Sequence, residues 1–290
     1  MEKTNSYINI MDRYSRRLYP YPSSLESSGI LKGSIRAVLF DIYGTLFISE
    51  SGDVTVARKK VTSKRFAFLL KRYSVDLDAD ETKKRFFQEI EKRHAKLRDN
   101  GVDFPEVEID RVWMNVLPLK DLDTARKFAT EYEMLFNPVW PMPFLKILLQ
   151  RLRAQDIKMG IISNAQFFTC LLFEHFLGSK PEDLGFNDRL MFYSFEHGYA
   201  KPSQVLFKMA RDRLKDMGII AHNTVYVGND MLNDIFPAHG VGFQTALFAG
   251  DKRSLRLRED DERCKFLSPE LVIRNLKELS EHISKQNKSV

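Results

Sequence analysis

Four polar groups in this chain each follow a short apolar segment. Asp41 closes the run Ile35-Arg36-Ala37-Val38-Leu39-Phe40, and Ser163-Asn164 closes Lys158-Met159-Gly160-Ile161-Ile162. Lys201 lies in the loop after Leu190–Ser194, and Thr224-Val225-Tyr226-Val227 runs into Gly228-Asn229-Asp230. Short apolar runs of this kind suit strands buried on both faces, as in a parallel sheet. Between them lie helical stretches at Phe144–Ala154, Gln166–Leu177, Ser203–Met217 and about 232–239. Gln244–Phe248 reads as a further strand, and Pro269–Lys285 contains a terminal helix. This alternation predicts an α/β fold, a parallel sheet with helices on both faces. Ligands bind such sheets beyond the carboxyl ends of the strands, so the four groups are expected to converge.

One stretch departs from the alternation. From 52 to 139 the sequence reads as roughly four amphipathic helices. Phe66, Phe68, Leu69, Leu70 and Tyr73 recur among Lys and Arg. A second helix opens at Asp80-Glu81, where acidic residues suit the helix dipole, and stops at Asn100-Gly101. Val107–Leu117 and Thr124–Phe136 complete the insert, with Trp113 and Met114 in its core. The expected organisation is an N-terminal extension over 1–33, a core over 34–51 and 140–290, and the insert over 52–139. In the extension, Tyr19-Pro20-Tyr21-Pro22 excludes a helix at that point. Its tyrosines are expected to pack on the body.

Composition narrows the classes. Hydrophobic content of 43% fills a sizeable core and excludes a disordered chain. No apolar run reaches the ~20 residues of a membrane span, and the start lacks a secretory pattern. The two cysteines, Cys170 and Cys264, make no disulfide framework, so a reducing cytoplasm is expected. The net charge is +6, and the stretch 53–99 alone holds 14 Lys/Arg against 8 Asp/Glu. No nucleic-acid-binding module accompanies that basicity. A small anionic substrate is the expected partner, with the basic stretch, including Arg58-Lys59-Lys60, as a lid above its site.

The residue types define the chemistry. A strand-terminal carboxylate can act as a nucleophile and form an aspartyl ester that water opens. A buried Lys with a Ser/Asn pair can bind an anionic group. Asp41, Asp230 and Asp234 can hold a hard divalent ion; Mg²⁺ takes oxygen ligands and keeps several waters.

In this order the motifs resemble the haloacid dehalogenase-like hydrolase superfamily. They are Phe40-Asp41-Ile42-Tyr43-Gly44-Thr45-Leu46-Phe47, Ile161-Ile162-Ser163-Asn164, Gly198-Tyr199-Ala200-Lys201-Pro202, and Val227-Gly228-Asn229-Asp230-Met231-Leu232-Asn233-Asp234. The resemblance covers about residues 35–290. It implies a Rossmann-like core with a helical cap between the first two motifs. It also implies Asp41 as nucleophile and Lys201 as the residue steadying it. Ser163, Asn164, Tyr43 and Thr45 would bind substrate. Asp41, the backbone carbonyl of Tyr43, Asp230 and Asp234 would hold Mg²⁺, with Asn229 auxiliary.

Two departures pull in opposite directions. Phosphatases of the superfamily usually carry a second Asp, a general acid/base, where this chain has Tyr43. A phenol of pKa ~10 is a poor base near neutrality. Tyrosine there resembles the metal-independent 2-haloacid dehalogenases. The acidic fourth motif instead resembles the metal-dependent phosphatases. The leading expectation is a Mg²⁺-dependent phosphatase of a small phosphomonoester. A 2-haloacid dehalogenase and a non-catalytic binding or regulatory protein are the alternatives.

Overall fold

A computed structural model of the chain describes residues 2–51 and 63–288. The basic run Arg58-Lys59-Lys60 lies outside the described residues. Helix α1 (Glu2–Tyr14) and strand β1 (Ser28–Gly29) precede β2 (Ala37–Phe40). Strands β3 (Phe47–Ser49) and β4 (Val139–Pro141) bracket helices α2 (Ser63–Arg72), α3 (Ala79–Asp99), α4 (Ile109–Val116) and α5 (Leu122–Phe136). Then follow α6 (Leu145–Ala154), β5 (Lys158–Ser163), α7 (Leu171–Leu177), β6 (Phe186–Tyr193), α8 (Ser194–His197) and α9 (Val205–Asp216). The chain continues through β7 (Thr224–Gly228), a π-helical turn at Met231–Ile235, α10 (Phe236–Gly240), β8 (Gln244–Phe248), β9 (Leu271–Ile273) and α11 (Leu276–Lys288).

Among the described residues, seven strands form one sheet in the order β1-β9-β8-β7-β2-β5-β6. All pairs are parallel except β1 with β9. Strand β2 shows why an unbroken apolar run is needed. Val38 and Phe40 face a cluster with Leu148, Leu152 and Leu279, from α6 and α11. Ala37 and Leu39 face the opposite cluster, with Phe207, Leu214 and Ala238 from α9 and α10. The alternation thus covers the sheet on both faces.

The chain winds outward from β2 in both directions, to β5 and β6 on one side and to β7, β8 and β9 on the other. That reversal opens a crevice beyond the end of β2. Phe40 is in register with Ile161 of β5 and Val227 of β7, so the residues following these three strands emerge side by side.

The helical insert leaves and rejoins the core through a two-stranded antiparallel ribbon. Ile48 pairs with Trp140 and Ser49 with Val139. Asn137 closes the ribbon: its Oδ1 accepts from Ser49 Oγ at 2.8 Å and from Ser51 Oγ at 2.8 Å. Each strand has three residues, too few to show a period. Inside the insert, α3 is capped by Asp78, which accepts from Glu81 N at 2.8 Å, and α5 by Asp121, which accepts from Thr124 N at 2.7 Å. Trp113 stacks on Phe86 at 3.9 Å, with Phe128 and Tyr132 packed at its edges.

The extension is not loop throughout. Helix α1 lies across α5 and α7. Tyr14 OH donates to Glu131 Oε1 of α5 at 2.5 Å, and Ser15 Oγ meets His175 Nε2 of α7 at 2.8 Å. Tyr19 and Tyr21 are largely exposed, but Arg253 lies over the Tyr21 ring at 4.2 Å, so the tyrosines pack on the body both from the helix and beyond it. The predicted helix at Gln166–Leu177 begins only at Leu171. Gln166 instead bridges to the insert, accepting from Ile109 N at 3.0 Å and donating to Val107 O at 2.8 Å.

Glu131 is the buried node of the α1 contact. Tyr73 OH donates to its Oε2 at 2.9 Å, and Arg72 Nε lies 3.2 Å from its Oε1. Glu131→Ala leaves two phenols without an acceptor. A loss of about 2–3 kcal/mol in urea unfolding is expected, since each unsatisfied buried polar group costs roughly 1–3 kcal/mol. A change below about 0.5 kcal/mol would show that α1 docks without it.

Candidate active site

The sheet brings the predicted groups together. Asp41 follows β2 in the crevice, its backbone N donating to Val227 O at 2.9 Å. Ser163, the last residue of β5, donates from Oγ to Asp41 Oδ1 at 2.9 Å. Lys201 reaches the same oxygen, Nζ to Oδ1, at 2.7 Å. Asn164 holds the Lys201 loop at both backbone groups: its Oδ1 accepts from Lys201 N at 2.7 Å and its Nδ2 donates to Lys201 O at 3.3 Å.

Lys201 also meets Asp234, Nζ to Oδ1, at 2.5 Å. The side chains of Lys201 and Asp234 are only 3% and 2% exposed. Burial by itself lowers the Lys201 ammonium, but Asp234 and Asp41 outweigh it, and its pKa is raised above the ordinary lysine value. The lysine therefore remains a cation. Asp234 is fixed on every side. Tyr226 OH donates to Oδ1 at 3.1 Å, while Asn229 N and Asp230 N each donate to Oδ2 at 2.9 Å. A Cβ at Gly228 would lie 2.3 Å from the Asp234 carboxyl carbon, so only glycine allows this approach.

Asp230 lines the cavity above the crevice, yet it is also tied down. Its Oδ1 accepts from Leu232 N at 2.9 Å, and Arg258 donates to its Oδ2 at 2.6 Å. Thr45 and Asn229, expected at substrate and metal, join the first and fourth motif loops. Thr45 Oγ1 donates to Asn229 Oδ1 at 3.0 Å, and Asn229 Nδ2 donates to Ser254 O at 2.6 Å. Thr45 is wholly buried, whereas Asn229 still forms part of the cavity lining. The Tyr43 hydroxyl pairs with Thr169 Oγ1 at 3.0 Å. Burial, with Glu133 nearby, pushes that phenol well above its ordinary pKa, which removes it as a base.

The donor set is all oxygen. Asp234 is 1% exposed, with both oxygens held in the interior. Asp230 is also bonded, to Leu232 N and Arg258, but is 6% exposed beside the cavity, so Asp41, Asp230 and the Tyr43 carbonyl are the candidate donors. Among the described residues no group of three or more His, Cys, Asp or Glu side chains is assembled around a metal position. Two carboxylates and a carbonyl suit a hard ion that retains several waters, so the residues fit Mg²⁺ in kind.

A cavity of about 440 Å³ extends from this floor into the insert. Its walls include Phe86, Trp113, Tyr132 and Phe136, together with Glu106, Glu133 and His94. The basic side chains of 63–99 are absent from the lining among the described residues, which corrects the expectation of a basic lid for that part of the stretch; Arg58-Lys59-Lys60 lie outside the described residues. The amphipathic helices turn their apolar stripe inward and leave Lys84, Arg85, Lys92 and Lys96 exposed. His94 is half-buried against the cavity.

Sequence reasoning missed Tyr226, Glu106 and Glu133. Tyr226 sits within a strand and reads as core. Glu106 is placed by chain pairing: its N donates to Gly198 O at 3.0 Å, beside the Lys201 loop. Its carboxyl accepts from Val107 N at 2.9 Å and from Ser194 Oγ at 2.8 Å.

A family model for haloacid dehalogenase-like hydrolases matches residues 35–242. The chain belongs to this family. It is 32% identical over 250 residues to a glyceraldehyde 3-phosphate phosphatase of Methanocaldococcus jannaschii, covering 84% of this chain and 99% of the relative. It is 30% identical over 145 residues to a ribulose-1,5-bisphosphate 5-phosphatase of Halopiger xanaduensis, covering 49% of this chain and 56% of the relative. Among solved structures, a HAD phosphatase from Thermococcus onnurineus superposes with a TM-score of 0.54 at 20% identity, over 85% of this chain and 97% of that one. A 2-haloacid dehalogenase from Pseudomonas syringae pv. Tomato gives 0.53 at 18%, over 87% and 99%. The solved structures share the fold, phosphatase and dehalogenase alike. The chain is a hydrolase of this family.

Burial raises the Glu106 carboxyl to about 7, against the opposing hydrogen bonds from Val107 and Ser194. The folded state therefore keeps a proton that the unfolded chain releases above ~4.3. The stability from this group is full below that value and is lost as pH rises to about 7. Glu106→Gln is accordingly expected to gain on the wild type in urea midpoint between about pH 5 and about pH 8. A difference that stays flat with pH would contradict this.

Proposed function

We propose that this hydrolase is a Mg²⁺-dependent phosphatase of a small phosphomonoester, with Asp41 as nucleophile. The observation that carries the reading is the buried Lys201–Asp41 contact of 2.7 Å in the switch-point crevice, open to the cavity. The names of both curated relatives, a glyceraldehyde 3-phosphate phosphatase and a ribulose-1,5-bisphosphate 5-phosphatase, support phosphoryl chemistry.

Ser163 and Lys201 both bond Asp41 Oδ1, so the attacking atom is Oδ2. As the Oδ2–phosphorus bond forms, the bond from phosphorus to the leaving oxygen breaks. Ser163, Asn164 and Lys201 bind the transferred phosphoryl group. Water then opens the aspartyl phosphate, releasing inorganic phosphate and restoring Asp41. Bound Mg²⁺, held by Asp41, the Tyr43 carbonyl and Asp230, would offset repulsion between carboxylate and phosphate. Asp234, Asn229 and Thr45 act as positioning residues. Helices α2–α5 serve as the cap that excludes water, over 52–139 between the two parts of the core. The free thiols of Cys170 and Cys264 suit a reducing, cytoplasmic setting.

Tyr43 favours a second reading, a metal-independent 2-haloacid dehalogenase, and one experiment separates the two. Phosphate release across a phosphomonoester panel is expected only with Mg²⁺, and Asp41→Asn should reduce it at least about a thousandfold. Phosphate release that survives both chelation and Asp41→Asn would sink the phosphatase. Halide release from short 2-haloacids without metal would establish the dehalogenase instead.

A further inference from the structure

The cavity has two chemically different ends. At the core end stand Asp41, Asp230, Lys201 and Arg256. The cap end is walled by aromatic rings, with Trp113 stacked on Phe86 and Tyr132 at its edge. Two carboxyl groups line the cavity between its two ends, near the joint of insert and core. Glu133 Oε1 accepts from Asn137 Nδ2 at 2.8 Å, and Glu106 is held by Ser194 and Val107. Among the described residues, Lys201 and Arg256 are the only Lys or Arg in the lining, and His94 is the one other group there able to carry positive charge. The indole N–H of Trp113, buried in the same wall, has no hydrogen-bond partner among the described residues. Among the described residues, the cap end therefore offers rings and hydrogen-bonding groups to a ligand, and no cation beyond His94.

Resting on the phosphatase reading, we infer that the leaving group is an uncharged, largely apolar alcohol, and that Glu106 and Glu133 select against one carrying a second phosphate or a carboxylate. A second anion would lose its water against an apolar wall and face two acids. A neutral aryl or alkyl group instead gains ring contacts there, and an aryl face can receive the Trp113 N–H. Burial keeps both acids above the ordinary carboxyl range; Glu106, near 7, is neutral in acid and charged in mild base. Discrimination is therefore sharpest above neutrality.

The test compares two phosphonates that cannot be hydrolysed, benzylphosphonate and 4-carboxybenzylphosphonate. Binding to the full chain with Mg²⁺ is followed at pH ~8 by tryptophan fluorescence and by calorimetry. Benzylphosphonate is expected to bind at least about tenfold tighter. Glu106→Gln with Glu133→Gln should shrink that ratio to about threefold or less, by tightening the carboxylated compound and leaving the neutral one unchanged. Each single substitution, with its circular dichroism checked against wild type, should account for part of the change. Equal or tighter binding of the carboxylated compound by the wild type overturns the inference, as does a ratio the double variant leaves unmoved. Phosphate release from phenyl phosphate is scored separately. Its absence while other phosphomonoesters are hydrolysed overturns the inference, whereas absence across the whole panel removes the phosphatase reading and leaves the binding ratio to decide the selectivity.

Discussion

The structure turns on a buried ammonium held between two carboxylates. Lys201 lies 2.7 Å from Asp41 and 2.5 Å from Asp234, with all three shielded from solvent. A cation in that position loses its hydration, and only close, well-bonded anions offset the loss. The chain supplies them from three distant segments: the end of β2, the loop after β6 and the turn after β7. No local rule could assemble the triad. It exists because the parallel register delivers Asp41 and the Gly228 turn to the same level on adjacent strands. Once assembled, it is exacting. Removing either carboxylate leaves charge imperfectly paired in the interior, and removing the lysine leaves two acids in mutual repulsion. Site and stability therefore share residues here, and Gly228 belongs to both.

The insert is held by a different kind of joint. The ribbon of β3 and β4 sets both chain crossings side by side, while Asn137 joins Ser49 and Ser51 to the end of α5. Away from the ribbon, Gln166 ties the insert to the core by two side-chain hydrogen bonds to the backbone, and α1 overlies α5 and α7. Backbone pairing adds to these fastenings, with Ala200 N donating to Phe104 O at 2.7 Å and Glu106 N to Gly198 O at 3.0 Å. Beneath them one apolar cluster runs through both parts, joining Phe86, Trp113 and Phe136 of the insert with Val38 and Phe40 of the core. Glu106 sits near this joint, its backbone paired beside the Lys201 loop and its carboxyl in the cavity.

Legibility in the sequence followed the range of the interactions. Strand β2 announced itself because burial on both faces demands an unbroken apolar run, and Asp41 because a charge interrupts that run. Ser163, Asn164 and Lys201 were readable for the same reason, as polar residues just beyond buried strands. The division of labour inside the fourth motif was not. Asp230 and Asp234 are both acids in one turn. Only the position of Lys201 decides that Asp234 is its partner, while Asp230 lines the cavity beside Arg258. Thr45 is similar, since its hydroxyl can serve a substrate or another loop, and the buried bond to Asn229 is set by tertiary packing. The helix α1 lacked a signal because its stabilising contacts come from Glu131 and His175, far along the chain. The described part of the basic stretch, 63–99, misled because charge composition says how many cations a helix carries, whereas the apolar period says which way they face.

Tyr43 and the cap interior bear on each other. A carboxyl two residues after Asp41 would protonate a departing alkoxide, and this chain has a phenol there, bonded to Thr169 and pushed out of the useful pH range. With no carboxyl at that position, a leaving oxygen that carries negative charge readily is favoured. Alkoxides of ordinary alcohols do so poorly, whereas a phenolate, of pKa ~10, does so far more readily. The aromatic walls of Phe86, Trp113 and Tyr132 suit an aryl group, and the acids beside them oppose any further charge on it. A missing acid and an apolar cap thus restrict the leaving group from opposite ends of the cavity, and an uncharged aryl alcohol satisfies both restrictions.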